Sequence, residues 1–271
     1  MKVFAIRDDE EYAIKDIAYL IYYEHDKCFY IELPDDADPW ETPLLLSSFV
    51  KKGEKTVNSY WSKLWVQQRI VPPDRQNLGQ VLKENGLTEY DEFDLLMLGN
   101  GRCAQDNYYL VPVADDLAET KFQMRYGKKV DDVIPLQNNN LIVFFHNGAV
   151  KQCSIGNMKK NDRFFIPVLK QESLFKSISV QTGGYGVCWG DNILISYDEL
   201  YQAGADIPLS MDDFIGFISC RVVNTGEAAA LLDCSRQNIN DLVLRGKLNP
   251  IKVEQKNKYF LKSEILSRLW N

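Results

Sequence analysis

The spacing of apolar and polar residues divides the chain into stretches of different character. Near the start, Ile17 to Glu24 and Lys27 to Leu33 are aromatic and β-branched runs. The polar break Glu24-His25-Asp26 between them predicts a β-hairpin. An acidic, proline-bearing loop follows over Pro34 to Pro43, and Val71-Pro72-Pro73-Asp74 marks a second break. The pattern then predicts a short helix over Asn77 to Asn85, closed by Gly86, and a further helix over Glu89 to Met97 that stops before Gly99-Asn100-Gly101. A strand over Asn107 to Val113 completes a mixed α/β region spanning 1–118.

From about 122 to 206 the pattern changes to strand and turn. Leu141 to Phe145 meets His146-Asn147-Gly148, a tight-turn signal, and the chain returns over Ala149 to Ser154. Ser177 to Gln181 and Val187 to Ser196 flank Thr182-Gly183-Gly184-Tyr185-Gly186 and predict another strand-turn-strand unit. The glycine spacing there does not match G-x-G-x-x-G, and no helix follows to receive a phosphate, so a hairpin turn is the expectation.

The C-terminal stretch has helical spacing. Asn224-x-x-Glu227 ahead of Ala228-Ala229-Ala230-Leu231-Leu232 has the form of a capping box and predicts a helix start. After Asp233-Cys234, Ser235 is suited to cap a second helix, Arg236 to Arg245, which Gly246 ends. Ile239, Leu242 and Val243 share one face of that helix and should pack on Ala228, Leu231 and Leu232. Gln237, Asn240 and Asp241 then lie opposite, with Arg236 at the flank. Such amide and guanidinium groups are suited to base edges in a major groove, and Ser235 opens a helix N-terminus suited to a phosphate. Leu244 and Asp241 are less expected on such a surface. Pro250 to Val253, Glu254 to Asn257 and Lys258 to Leu261 predict a hairpin, a wing whose Lys256 and Lys258 would neutralise phosphates. Ser263-Glu264 should cap a last helix ending at Trp270.

The expected fold class is therefore α+β and multidomain. Two mixed α/β modules, 1–118 and the β-rich 122–206, precede a small winged helix-turn-helix domain, 215–271.

Charge changes the picture by where it sits. The 271 residues carry a formal charge of −7. From Arg221 onward, nine Lys/Arg face five Asp/Glu, a local +4 that leaves −11 for the first 220 residues. An acidic body repels phosphate, so binding to nucleic acid would have to come from the C-terminal stretch. With 45% hydrophobic and 25% charged residues the chain is expected to fold throughout. It shows neither an apolar run long enough to span a membrane nor a signal peptide, so a cytoplasmic location is expected. The six cysteines form no C-x-x-C pair and are expected to be reduced and mostly buried. No cofactor or metal set is expected. His25 and His146 fall at turns, and the acidic runs Asp8 to Glu11 and Pro34 to Asp38 lack calcium-loop spacing. Trp61 and Trp65, four apart, predict a helical core stripe in a region that also holds Trp40 and Tyr60.

The run Asn224 to Gln237, together with Arg245-Gly246-Lys247-Leu248-Asn249-Pro250, resembles the excisionase/MerR-type helix-turn-helix family over about fifty residues. The resemblance implies DNA contacts from Ser235, Arg236, Gln237 and Asn240. It further implies backbone contacts around Arg245, from Lys247 and from the wing, where lysines stand in place of the arginines of many members. Phe145-His146-Asn147-Gly148, Glu172 to Phe175, Val187 to Gly190 and Ile195 to Tyr201 resemble a small bacterial domain family of unknown function, found near phage, mobile-element and toxin-antitoxin genes. Arg69 to Leu78 and Glu92 to Arg102 resemble the N-terminal subdomain of HipA-type toxin kinases, without the kinase core that would follow. The expectation is a DNA-binding transcriptional regulator and not an enzyme, whose first modules take a protein partner, a ligand or a second copy. The alternatives are a toxin-antitoxin adaptor whose helix-turn-helix contacts protein, and an enzyme with its site within 1–118.

Overall fold

The computed structural model describes residues 1–10, 15–190, 192–255 and 257–268. Glu11, Lys256 and Trp270, each part of an expectation above, lie outside the described residues. The chain is mixed α/β with several antiparallel sheets and divides into two compact units, 1–147 with 153–204, and 148–152 with 205–271.

The first unit is built on five strands: β1 (Lys2–Asp8), β2 (Ala18–Tyr23), β3 (Cys28–Glu32), β4 (Thr56–Val57) and β5 (Tyr108–Pro112), in the order β4-β3-β2-β1-β5. The β2–β3 pair is the expected hairpin, with Tyr23 opposite Cys28. Successive side chains of a strand face opposite sides, and both sides of this sheet are covered. On one, Phe4, Ile6, Leu20, Tyr22, Phe29 and Ile31 meet Leu46 and Phe49 of α1 (Leu44–Lys51), Trp65 of α2 (Ser59–Gln67) and Leu96. On the other, Val3, Ala5, Tyr19 and Ile21 meet Ala118, Phe122 and Tyr126. Burial on two faces explains why β1 and β2 read as continuous apolar runs.

The expected short helix is α3 (Leu78–Glu84), beyond which Gly86 takes φ 71°. The next, α4 (Glu92–Leu98), begins later than expected because the Asp91 carboxylate accepts from the amides of Phe93 and Asp94 and caps it. Trp65 is buried in the core, whereas Trp61 stays partly exposed against Phe49, and Trp40 and Tyr60 face solvent.

The region 1–118 and most of 122–206 share this first unit, while 148–152 and 205–206 belong to the second. After α5 (Leu117–Lys121) and α6 (Gln123–Tyr126) come the antiparallel β6 (Val130–Pro135) and β7 (Asn140–Phe145). A second small sheet holds β8 (Ser179–Val180), β9 (Gly186–Trp189) and β10 (Ile193–Ser196), followed by α7 (Tyr197–Ala203). The strand expected over Val187 to Ser196 is two strands, since Gly190 at φ 64° reverses the chain. The glycines before it serve packing: a Cβ on Gly184 would lie 2.5 Å from the Val130 carbonyl oxygen, and one on Gly186 2.1 Å from that of Ile195.

Arg125 ties the two sequence regions together. Its guanidinium donates to Glu32, Asp35 and the carbonyls of Leu33 and Lys55. Glu32 lies fully buried at the end of β3 and also accepts from the Thr56 hydroxyl at 2.9 Å. The Lys129 ammonium, equally buried, stands 3.8 Å from the free Glu32 oxygen and 3.4 and 3.5 Å from the ring centres of Tyr126 and Tyr185. Burial pushes the Glu32 carboxyl up and the Lys129 ammonium down to about 7.

In the second unit, Ala205–Asp206 pairs with Lys151 and Gln152. The helix α8 (Met211–Arg221) is absent from the sequence expectations. Ser210 and Asp213 form its capping box, each side chain accepting from the other's amide. Next come β11 (Val222–Asn224), α9 (Thr225–Leu231), α10 (Arg236–Leu244), β12 (Lys252–Glu254), β13 (Asn257–Leu261) and α11 (Lys262–Ser267). The strands order β11-β13-β12. The core is Val223, Ala228, Ala229, Ile239, Leu248, Phe260 and Ile265. Ser263 does not cap α11; the helix starts at Lys262, and its N-cap position, Leu261, makes no side-chain cap hydrogen bond. Of the six cysteines only Cys153 is fully buried, and Cys220 is exposed on α8. Among the described residues no helix is long and apolar enough to cross a membrane.

Candidate nucleic-acid interface

Local hydrogen bonds fix where α9 and α10 begin and end. The Asn224 side chain accepts from the amides of Gly226 and Glu227 at 2.8 and 3.0 Å, and Glu227 accepts from the Asn224 amide at 2.8 Å, completing the expected box. Asp233 takes the left-handed conformation between the helices at φ 48°. Ser235 then accepts from the Asn238 amide at 3.1 Å. At the far end, the Lys247 amide bonds the Leu242 carbonyl and the Gly246 amide that of Val243, with Gly246 at φ 66°. This six-to-one, five-to-two closure stops the helix and turns the chain toward the hairpin.

Packing then sets which way α10 points. Ile239 is fully buried, with Leu231, Leu232, Leu242 and Val243 packed around it. Ser235, Arg236 and Gln237 are exposed at the first turn, and Arg245 and Lys247 just past the last. The Arg236 guanidinium lies over Gly226, where an added Cβ would fall 2.8 Å from Nη2. The glycine thus leaves a seat for the guanidinium.

Two expected contacts come together in an unexpected way. Lys258, on β13, donates to the Asn240 side-chain oxygen at 2.8 Å, and both residues are half-buried. The hairpin and α10 are thereby joined. An asparagine reading adenine uses its oxygen and its amide nitrogen together; here the oxygen is engaged by Lys258. The hairpin itself is tight, with Glu254 opposite Asn257, and Lys256 at its tip is outside the described residues. Lys252 is engaged by Glu254. Among the described residues the cations on this surface are Arg236, Arg245, Lys247 and Lys258. Asp241 is half-buried, and Leu244, whose role the sequence leaves open, is 82% exposed.

Reasoning from sequence missed the Glu32–Arg125–Lys129 cluster and the cavity next to it. The one signal available was a glutamate ending the apolar strand Cys28-Phe29-Tyr30-Ile31-Glu32. Compared with family models, with curated proteins and with solved structures, the chain matches none.

Proposed function

We propose that the second unit is a winged helix-turn-helix module and that the chain is a DNA-binding transcriptional regulator. The observation that carries this reading is one helix, α10, with Ile239 buried and Arg236 and Gln237 exposed at its first turn, beside a hairpin bearing Lys258. Docked by its first turn in a major groove, such a helix offers a guanidinium and an amide to base edges, while Arg245, Lys247 and the hairpin lysines meet phosphates. The resemblance of residues 224–250 to excisionase/MerR-type proteins supports the same reading, and that of the middle region points to a toxin-antitoxin or mobile-element locus. The first unit then serves a ligand, a protein partner or a second copy.

A gel shift against the DNA upstream of the protein's own gene, repeated at rising salt, tests the proposal. A sequence-selective complex is expected. Arg236→Ala and Gln237→Ala should each weaken it by about 1 to 3 kcal/mol relative to a scrambled duplex. A second reading, an adaptor that uses this surface on protein, is favoured by the exposure of Leu244 within it. In that case the upstream DNA is bound no better than the scrambled duplex.

A further inference from the structure

The first unit holds a cavity of about 830 Å³ beside the Glu32 cluster, within the size range of small-molecule sites, about 300 to 1,000 Å³. We propose that it binds a small anion carrying an aromatic ring, of the size of a nucleoside monophosphate. The inference does not depend on DNA binding by the second unit.

The wall is aromatic at depth. Tyr30 and Tyr185 stack at 3.7 Å with their planes 8° apart, Tyr197 meets the edge of that pair, and Phe122 stands among the lining residues. All four are buried, so the cavity reaches into the fold. A polar step lies among these rings, where the Thr56 and Tyr197 hydroxyls are 3.2 Å apart and Thr56 is anchored on Glu32. Such a floor suits a planar ring with a few polar edges better than an aliphatic chain.

The cavity is also cationic within an acidic body. Lys52, Lys55, Lys121, Arg125 and Lys128 line it, against Asp35, Glu54 and Asp198. Arg125 and Asp35 are paired with each other at 2.9 Å, which leaves four lysines facing two carboxylates. Lys55 gives one hydrogen to the Asp35 carbonyl and Lys121 one to the Tyr19 hydroxyl. An ammonium has three hydrogens, so each keeps donors for a ligand. Residues 1–220 carry −11 in total, so the local sign is the reverse of that of the surrounding protein. A concave, low-dielectric site of inverted sign concentrates small anions.

Calorimetric titration of the full chain with AMP, GMP, CMP, UMP and phenyl phosphate tests the assignment, with inorganic phosphate and adenosine as half-ligands. At least one of the five should bind saturably, and at least tenfold more tightly than either half-ligand. Lys55→Glu combined with Lys128→Glu should weaken that binding at least tenfold, while Lys160→Glu, an exposed change outside the cavity lining, leaves it intact. The far-UV circular dichroism and unfolding midpoints of all variants report whether the fold is kept. If none of the five binds up to millimolar concentration, the proposal is overturned. It is overturned equally if a folded double variant binds as the wild type does, or if adenosine binds as tightly as AMP.

Discussion

Glu32 and Lys129 show what deep burial does to a pair of opposite charges. Their nearest atoms are 3.8 Å apart, too far for a hydrogen bond, and the ammonium rests against two tyrosine rings. The carboxyl is pushed up and the ammonium down, so for both groups burial outweighs mutual attraction. The consequence for stability has a definite sign. Lys129 titrates near 7 in the fold and near 10.5 when unfolded, so the folded chain binds fewer protons between those values, and stability gains as pH rises through that window. Below pH 7 both states are charged, and the burial cost is fully present. Comparison of wild type with Lys129→Met by urea unfolding should therefore shift in favour of wild type by about 2 kcal/mol between pH 7 and 9. A difference that stays level across that range would mean that the ammonium is not desolvated. None of this could be read from the sequence, because Glu32, Arg125, Lys129 and Tyr185 meet only through the fold.

Elements whose signals are local were legible. The β2–β3 hairpin, the box at Asn224 and Glu227, the Ser235 cap and the Gly246 stop each rest on hydrogen bonds spanning a few residues, and each stands where its residues predict it. The last helix was misread at its start because Ser263-Glu264 looks like a cap, although the helix continues directly from β13. The helix α8 was overlooked despite Ser210 and Asp213. Phe214, Ile215, Phe217 and Ile218 cluster without the polar intervals that mark a core-facing stripe, and no residue of α8 is buried. For α9, the Asn224 side chain satisfies two amides that would otherwise lack partners. Asn224→Ala should cost about 1 kcal/mol, read as faster hydrogen exchange at the Ala229 to Leu231 amides of the second unit. Unchanged protection there would show that the box contributes nothing to holding α9.

Charge is partitioned along the whole molecule, −11 before Arg221 and +4 from there on. On the proposed reading the cations of the second unit meet the polyanion, so affinity for DNA should depend on few phosphate contacts and weaken predictably with salt. Arg245, Lys247, Lys256 and Lys258 give about four contacts for one copy, and each released counterion contributes roughly −0.9 to the slope of log K against log salt. Binding as a single copy thus predicts a slope of about −4, and binding as two copies on paired half-sites about −7. Filter binding from 50 to 300 mM KCl separates the two, with Lys258→Ala lowering the slope by about 1 per copy. A slope near zero for the specific complex would mean that this surface does not meet phosphates, and the reading of the second unit as a DNA-binding module would fail with it.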